Sequence, residues 1–295
     1  MTEFKAILKT ELLKKRKLSE STLKTYLSLL HSLQNKLSDK ELSIKWYSKN
    51  EKEIINHLKK APRSTRKTVL SGVYVLSGSN VIHQEMLSEA KLANDEYKQN
   101  NKNSKQEANW LTQAEVIKVF ETLETKAFDL IKNKKVFNKE DLMLVRDYVL
   151  LGLYVKQNPR RALDYSEMKI KNVNKKVDNY ILKNEFVFNR YKTAKVYSTQ
   201  KINIDPVFLK FLKKHWINKL NTTDYLLIDH DNNKMNSNKI TKALNSIFGK
   251  NISVNMLRHI FVSDKLKDVP AVSKLDELAK SLGHSTKVLL EYNKK

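Results

Sequence analysis

The chain has 295 residues and no cysteine, and its 56 Lys and Arg against 32 Asp and Glu give a formal net charge of +24. The length is enough to bury a sizeable core and predicts two domains, while the missing thiols exclude disulfides, thiolate metal sites and cysteine nucleophiles. The charge sets up a positive field that recruits polyanions, nucleic acid foremost, although Asn residues among the Lys residues are also what an A/T-rich coding sequence produces. No apolar run approaches the roughly 20 residues that span a bilayer. The opening "MTEFKAILKTELLKKRK" has neither the apolar core nor the small-residue cleavage site of a signal peptide, so a soluble, intracellular-type protein is expected.

In chain order, "SESTLKTYLSLLHSLQNKL" begins with cap-forming Ser and Thr. Leu23, Tyr26, Leu27, Leu30, Leu33 and Leu37 then recur at helical spacing. "NEKEIINHLKK" is a shorter helix stopped by Pro62. "STRKTVLSGVYVLSG" puts Val69, Leu70, Val73 and Leu76 on one face, with Arg63, Arg66 and Lys67 at its start, and a last helix runs from about Val81 to Tyr97. Residues 1–98 thus predict an all-helical unit with a basic surface, on which Arg63, Arg66 and Lys67 are DNA-binding candidates. Residues 99–109 are polar and aperiodic and predict a linker. "WLTQAEVIKVFETLE" restarts a capped helix, and "KEDLMLVRDYVLLGLYV" is long and largely buried. Between Tyr180 and Ile204, "NYILK", "EFVFNRYKT" and "KVYSTQKINI" cluster β-formers and predict an antiparallel sheet of about three strands. Helices resume at Pro206. The expected class is mainly α with a small antiparallel sheet, in two domains, 1–98 and 110–295.

Four segments of the second domain carry polar residues that packing does not require. In "NPRRALDYSEMKI", Arg161 and Asp164 lie one helical turn apart, so the carboxylate is placed to hold the guanidinium. Arg160 is the alternative, but Arg161 keeps the three-residue spacing. "RYKTAK" places Lys192 at a strand end, with Lys195 its nearest rival. "NMLRH" sets Arg258 one turn after Asn255, and "LGHSTKVLLEY" supplies His284 and Tyr292. Two Arg, a Lys, a His and a Tyr without a carboxylate cluster fit phosphoryl transfer without a metal. Guanidinium forks neutralise a crowded phosphorane, a phenol is a nucleophile that holds the phosphoryl group covalently, and an ammonium gives a proton to a leaving alkoxide.

The order of these residues resembles the tyrosine recombinases, the phage-integrase family. "NMLRHIFVS" is similar to that family's His-x-Leu-Arg-His box, and "LAKSLGHSTKVLLEY" to its Leu-Gly-His…Tyr box. "RRALDYSEM" resembles the Arg-x-x-Glu segment with Asp164 for Glu, and "YKTAK" the turn that carries the family lysine. "SESTLKTYLSLL" resembles the opening helix of its core-binding domain. The "PRRALDY" and "EYNK" forms resemble viral and mobile-element members. The resemblance implies a core-binding domain followed by a catalytic domain and a site-specific recombinase or integrase working on double-stranded DNA. It further implies a monomer or weak dimer when free and a homo-tetramer on two DNA sites. No cofactor, no metal and no membrane are implied. The protein would act where its DNA is, in a bacterial cytoplasm or in the nucleus or factory of a eukaryotic virus. Tyr292 would form a 3′-phosphotyrosine, Arg161 and Arg258 would clamp the non-bridging oxygens, His284 would hydrogen-bond the phosphate, Lys192 would protonate the leaving oxygen and Asp164 would brace Arg161.

Two departures stand out. Asn255 occupies the position of the family's first histidine, so a neutral amide replaces a charged donor. Only 293–295 follow Tyr292, where many members carry a tail that docks on a neighbouring subunit. Packing accounts for each residue taken singly: His259 as a core histidine or a phosphate contact, His284 as the residue after a helix cap, Tyr292 as a packing aromatic. It does not account for all of them in this order. The chemistry alone also fits a type IB topoisomerase, and a decayed member would keep only DNA binding.

Overall fold

A computed structural model describes residues 3–38, 42–98, 101–220, 223–266 and 272–292. It divides into two compact units, Met1–Gln99 and Asn100–Lys295.

The first unit is built of α1 (Glu3–Lys15), α2 (Glu20–Leu37), α3 (Ile44–Lys49), α4 (Glu51–Leu58), α5 (Arg63–Ser77) and α6 (Asn80–Lys98). Ser19 caps α2, its side chain accepting from Thr22 N, which relieves one of the unpaired donors of a helix start. α5 ends where Gly78 turns left-handed at φ +67°, a conformation that costs glycine little. Leu8, Leu12, Leu30, Tyr47, Ile54, Val73 and Ile82 form the centre of the core. The Tyr47 hydroxyl donates to Leu30 O at 2.9 Å, so its burial leaves no bare donor. α1 lies in a stretch for which the sequence predicted no element; Phe4, Leu8 and Leu12, spaced four apart, bury its one apolar stripe.

The basic start of α5 is not the free surface expected. Arg66 Nη1 lies 2.7 Å and Arg63 Nε 3.4 Å from the carboxylate of Glu89 on α6. Glu89 is buried, and a carboxylate removed from water needs cations around it. The two arginines therefore tie α5 to α6, while Lys67 remains exposed.

The second unit starts inside the predicted linker. α7 (Ser104–Asn109) is opened by a capping box between Asn103 and Gln106, and Asn109 Oδ1 accepts from Asn251 N at 2.9 Å. Short local hydrogen bonds, not an apolar stripe, make this helix, and an apolar-period search passes over it. α8 (Gln113–Asn133) and α9 (Lys139–Val155) carry capping boxes of their own, Thr112 with Glu115 and Asn138 with Asp141. α9 is buried around most of its circumference from Val145 to Tyr154. Next come α10 (Ala162–Ser166), β1 (Met168–Lys169), β2 (Asn179–Leu182), β3 (Glu185–Phe188), α11 (Ala194–Tyr197) and β4 (Gln200–Asn203). α12 (Pro206–Phe211) runs into a π-helical turn, Leu212–Trp216. α13 (Ser237–Phe248), α14 (Val254–Lys265), α15 (Val272–Ser281) and α16 (Thr286–Leu290) close the unit.

The sheet has four strands in the order β1-β2-β3-β4. β2, β3 and β4 pair antiparallel as expected, but β1 pairs parallel to β2, so the sheet is mixed. Two residues are too few to show a period of two, and β1 is fixed instead by tertiary pairing, with Lys169 also bridging to Tyr225. Around Tyr148, the rings of Phe120, Phe208 and Phe211 form the aromatic centre of the core, and the exposed Phe128 packs against its edge. A separate small core of Phe261, Val262, Leu266, Leu275, Ala279, Leu282 and Leu289 fastens α14, α15 and α16 together, with Tyr292 packed against it.

Candidate active site

The segment entering α10 places two arginines side by side. Arg161 is the extended N-cap residue, with φ −69° and ψ 151°, and the two side chains take separate courses. Arg160 is fully buried. Its Nε donates to Asp164 Oδ2 at 2.9 Å, and its Nη1 donates to Gln200 Oε1 at 2.7 Å and to Ser281 O at 3.3 Å. The guanidinium lies over the rings of Phe188, at 4.1 Å, and Tyr191, at 5.0 Å. Arg161 instead donates from Nη2 to His284 Nδ1 at 2.9 Å and from Nη1 to Gly283 O at 3.5 Å. The expected brace of Arg161 by Asp164 is thus replaced by a brace of Arg160, four residues from the carboxylate instead of three. The cause is burial: Asp164 is completely enclosed, so it pairs with the arginine that is enclosed with it. Burial pushes the Asp164 carboxyl up, and Arg160 foremost among the nearby arginines pulls it back.

α14 brings Arg258 to the same place. Ser253 caps the helix, Asn255 is exposed in its first turn, and Arg258 follows one turn later. Arg258 is fully buried. Its Nε donates to Pro159 O at 3.2 Å, its Nη2 to Leu282 O at 3.4 Å and its Nη1 to the Tyr292 hydroxyl at 2.9 Å. Burial draws this guanidinium down to about 10, against the raising effect of Tyr292, and it stays cationic at neutral pH. His259 is buried beside it, with its ring 4.6 Å from that of Tyr292 and its Nδ1 3.0 Å from Tyr292 O.

α15 ends in a Schellman turn. Gly283 N donates to Lys280 O and His284 N to Ala279 O, with Gly283 left-handed at φ +70°. The turn presents His284, which is buried. Because Nδ1 accepts from Arg161, the neutral ring carries its proton on Nε2, and that Nε2 is buried with no partner among the described residues. Burial first, then the charges of Arg258 and Arg161, hold the imidazole far below its usual value. α16 then delivers Tyr292, half-buried, with its ring 5.0 Å from that of His284.

Lys192 lies four residues beyond the end of β3, in an exposed turn before α11 and not at a strand end. Asn179 shapes the start of this turn: its Oδ1 accepts from Asn189 N and Arg190 N, and its Nδ2 donates to Arg190 O. The Lys192 charge is among those that lower His284. Lys195 is exposed on α11.

Arg161, Arg258, His284 and Tyr292 therefore converge, Lys192 borders them, and Asn255 stands at the exposed end of the helix that carries Arg258. Arg63, Arg66 and Lys67 belong to the first unit. The sequence reading missed Gln200 and Thr193, for which no local pattern speaks, and ranked Arg160 below Arg161. For Arg160, the four-residue spacing to Asp164 was the available signal. Two cationic forks, a phenol and a buried unpaired N–H facing one spot make a receptor for anionic oxygens.

No protein-family model matches the sequence, and no curated protein matches it. Among solved structures, the chain is similar to lambda integrase (residues 75–356) as a dimer bound to a COC′ core site. Identity is 14%, 99% of this chain and 95% of that chain are covered, and the TM-score is 0.58. It is also similar to a lambda integrase tetramer bound to a Holliday junction, at 13% identity over 99% of this chain and 76% of that one, with a TM-score of 0.54. XerA recombinase, at 14% identity over 100% and 94% of the two chains, gives a TM-score of 0.43, too low to bear on the fold. At such identities the likeness to lambda integrase is one of fold alone, mainly helical with a small mixed sheet.

Proposed function

We propose that this chain is a tyrosine recombinase that cleaves and rejoins double-stranded DNA through a 3′-phosphotyrosine at Tyr292. The observation that carries the proposal is the 2.9 Å bond from Arg258 Nη1 to the Tyr292 hydroxyl, next to the 2.9 Å bond from Arg161 Nη2 to His284. Four residues spread over 132 positions are thereby brought together. Tyr292 Oη bonds to phosphorus as its phenolic proton passes to water. The bond from phosphorus to the 5′ oxygen breaks with its electron pair on oxygen, which takes a proton from the Lys192 ammonium. Arg161 and Arg258 hold the non-bridging oxygens, and His284 donates from Nε2 to one of them. Donors fixed before the charge develops lower the barrier most effectively. Attack by a 5′ hydroxyl of a partner strand on the phosphotyrosine reverses the sequence and joins the new pair, and Lys192 recovers the proton.

The lambda integrase fold and the positive charge of the chain support DNA as substrate. The "PRRALDY" and "EYNK" segments support service to a viral or mobile-element genome, by integration or resolution. Assembly as a homo-tetramer on two DNA sites agrees with the tetramer of the similar integrase. A type IB topoisomerase shares the chemistry but acts without paired sites, so resolution of a four-way junction separates the two. The decisive test is trapping on a nicked suicide substrate. The parental protein is expected to form a covalent adduct, and Tyr292→Phe is expected to bind the same DNA and form none. An adduct with Tyr292→Phe would assign the nucleophile elsewhere.

A further inference from the structure

The connection from β3 to β4 carries Lys192, the connection from α15 to α16 carries His284, and some ninety residues of chain separate them. Side chains join the two connections directly. Thr193 Oγ1 donates to Gly283 O at 2.9 Å. At the far end of the same connection, Gln200 Nε2 donates to Lys280 O at 3.1 Å, while its Oε1 accepts from Arg160 Nη1 at 2.7 Å. The four successive carbonyls from 280 to 283 are all taken by side chains from elsewhere in the unit: Lys280 by Gln200, Ser281 by Arg160, Leu282 by Arg258, and Gly283 by Thr193 and Arg161. The last carbonyls of a helix are ordinarily left to water or to a cap. Here they form the anchor on which the elements of the site are fastened.

Within that anchor Thr193 has a particular place. Lys192 is exposed, and an exposed lysine head on its flexible stem has wide rotamer freedom. What limits the reach of Nζ is where its own Cα stands, and adjacent Cα atoms are about 3.8 Å apart. Of its two neighbours, Tyr191 is fastened within its own connection by a bond from its hydroxyl to Ser198 O, whereas the Thr193 hydroxyl is bonded to the turn that presents His284. Gln200 is a poorer probe, because it also holds Arg160.

We propose that Thr193 is a positioning residue for Lys192, its hydroxyl holding the lysine turn in register with the His284 turn so that the ammonium reaches the leaving 5′ oxygen. The role rests on the recombinase reading and on Lys192 as proton donor. As the bond from phosphorus to the 5′ oxygen breaks, the proton moves from Nζ to that oxygen, leaving a neutral amine that takes a proton back when a 5′ hydroxyl attacks the phosphotyrosine. A 5′-bridging sulfur leaves without needing the proton, so it separates positioning of the acid from support of the rest of the site.

The test is single-turnover cleavage by the full chain of matched DNA substrates with oxygen or sulfur at the bridging position. Thr193→Val keeps the shape and removes the donor. It is expected to slow cleavage of the oxygen substrate by about tenfold to a hundredfold and to cleave the sulfur substrate near the parental rate. Thr193→Ser, which keeps the hydroxyl, is expected to stay near the parental rate on both. Lys192→Ala is the reference and is expected to be rescued by sulfur. If Lys192→Ala is rescued but Thr193→Val is equally slow on both substrates, or not slowed at all, the positioning role is overturned alone. If sulfur does not rescue Lys192→Ala, the assignment of Lys192 as acid falls and this role with it.

Discussion

At the scale of single residues, the neighbouring arginines divide two tasks that the sequence left in competition. Arg160 is the counter-ion of a buried carboxylate, and Arg161 is the fork presented beside His284. Arg160→Leu strands Asp164 in the interior and is expected to destabilise the fold by about 3–5 kcal/mol, seen as a lower urea midpoint. Arg161→Leu is expected to leave that midpoint nearly unchanged and to slow single-turnover cleavage by about 10²–10³. The opposite pattern would exchange the two assignments. His284 gives a pH dependence whose sign follows from its surroundings. Burial, then Arg258 and Arg161, holds the folded imidazole far below the ordinary value of about 6.5. Below about pH 6.5 the unfolded chain takes up a proton that the folded chain refuses, so this contribution to stability is complete above that pH and declines as pH falls through it. Urea midpoints compared from about pH 7.5 to about pH 4.5 should therefore fall more steeply for the parental protein than for His284→Gln, which has no titrating ring. Equal slopes would mean that the folded ring titrates normally.

At the scale of elements, two glycines test how the site is supported. Gly283 is left-handed at φ +70° in the Schellman turn, and a Cβ there would stand 3.4 Å from Arg160 Nη2. Gly283→Ala carries a conformational cost of about 1–2 kcal/mol, at the point where four carbonyls are held. It is expected to lower cleavage more than that loss of stability would suggest, because the strain falls on the His284 turn. Gly152 is a different case. A Cβ there would lie 2.5 Å from the Phe208 ring, so Gly152→Ala overpacks the contact between α9 and α12 and is expected to cost about 1–3 kcal/mol. Since α9 carries no residue of the site, that variant should cleave normally at temperatures where it is folded. Thermal melts and single-turnover rates on both variants check the pair.

At the scale of the whole molecule, each unit is basic in its own right. Residues 1–99 hold 19 Lys and Arg against 11 Asp and Glu, a net +8, and residues 100–295 hold 37 against 21, a net +16. Because both contribute phosphate contacts in the proposed role, a fragment of residues 101–295 should bind DNA more weakly than the full chain and with a shallower dependence on salt. Each lost phosphate contact removes about 0.9 from the slope of log K against log salt. The fragment starts at 101 and not 110 because α7 belongs to this unit, tied to it through Asn109 and Asn251. Equal slopes for fragment and full chain would place all the phosphate contacts in the second unit.

The sequence by itself determined the helical first unit, the long buried α9 and three of the four strands, and it singled out Arg161, Lys192, Arg258, His284 and Tyr292 as candidates. Each of these leaves a local trace: a period of 3.6 or 2, a cap, or a polar residue on an otherwise apolar helix. What it could not decide depends on positions far apart in the chain. Which arginine pairs with Asp164 depends on which is enclosed with it, and enclosure comes from Phe188 on β3, Tyr191 in the connection after it and Gln200 on β4. The same holds for β1, which exists through its partners, and for Arg63 and Arg66, whose charges are spent on Glu89 across the helix pair. Local patterns record the chain's preference for a helix or a strand, whereas the desolvation of a charge is a property of everything packed around it, and only the tertiary structure brings those atoms together.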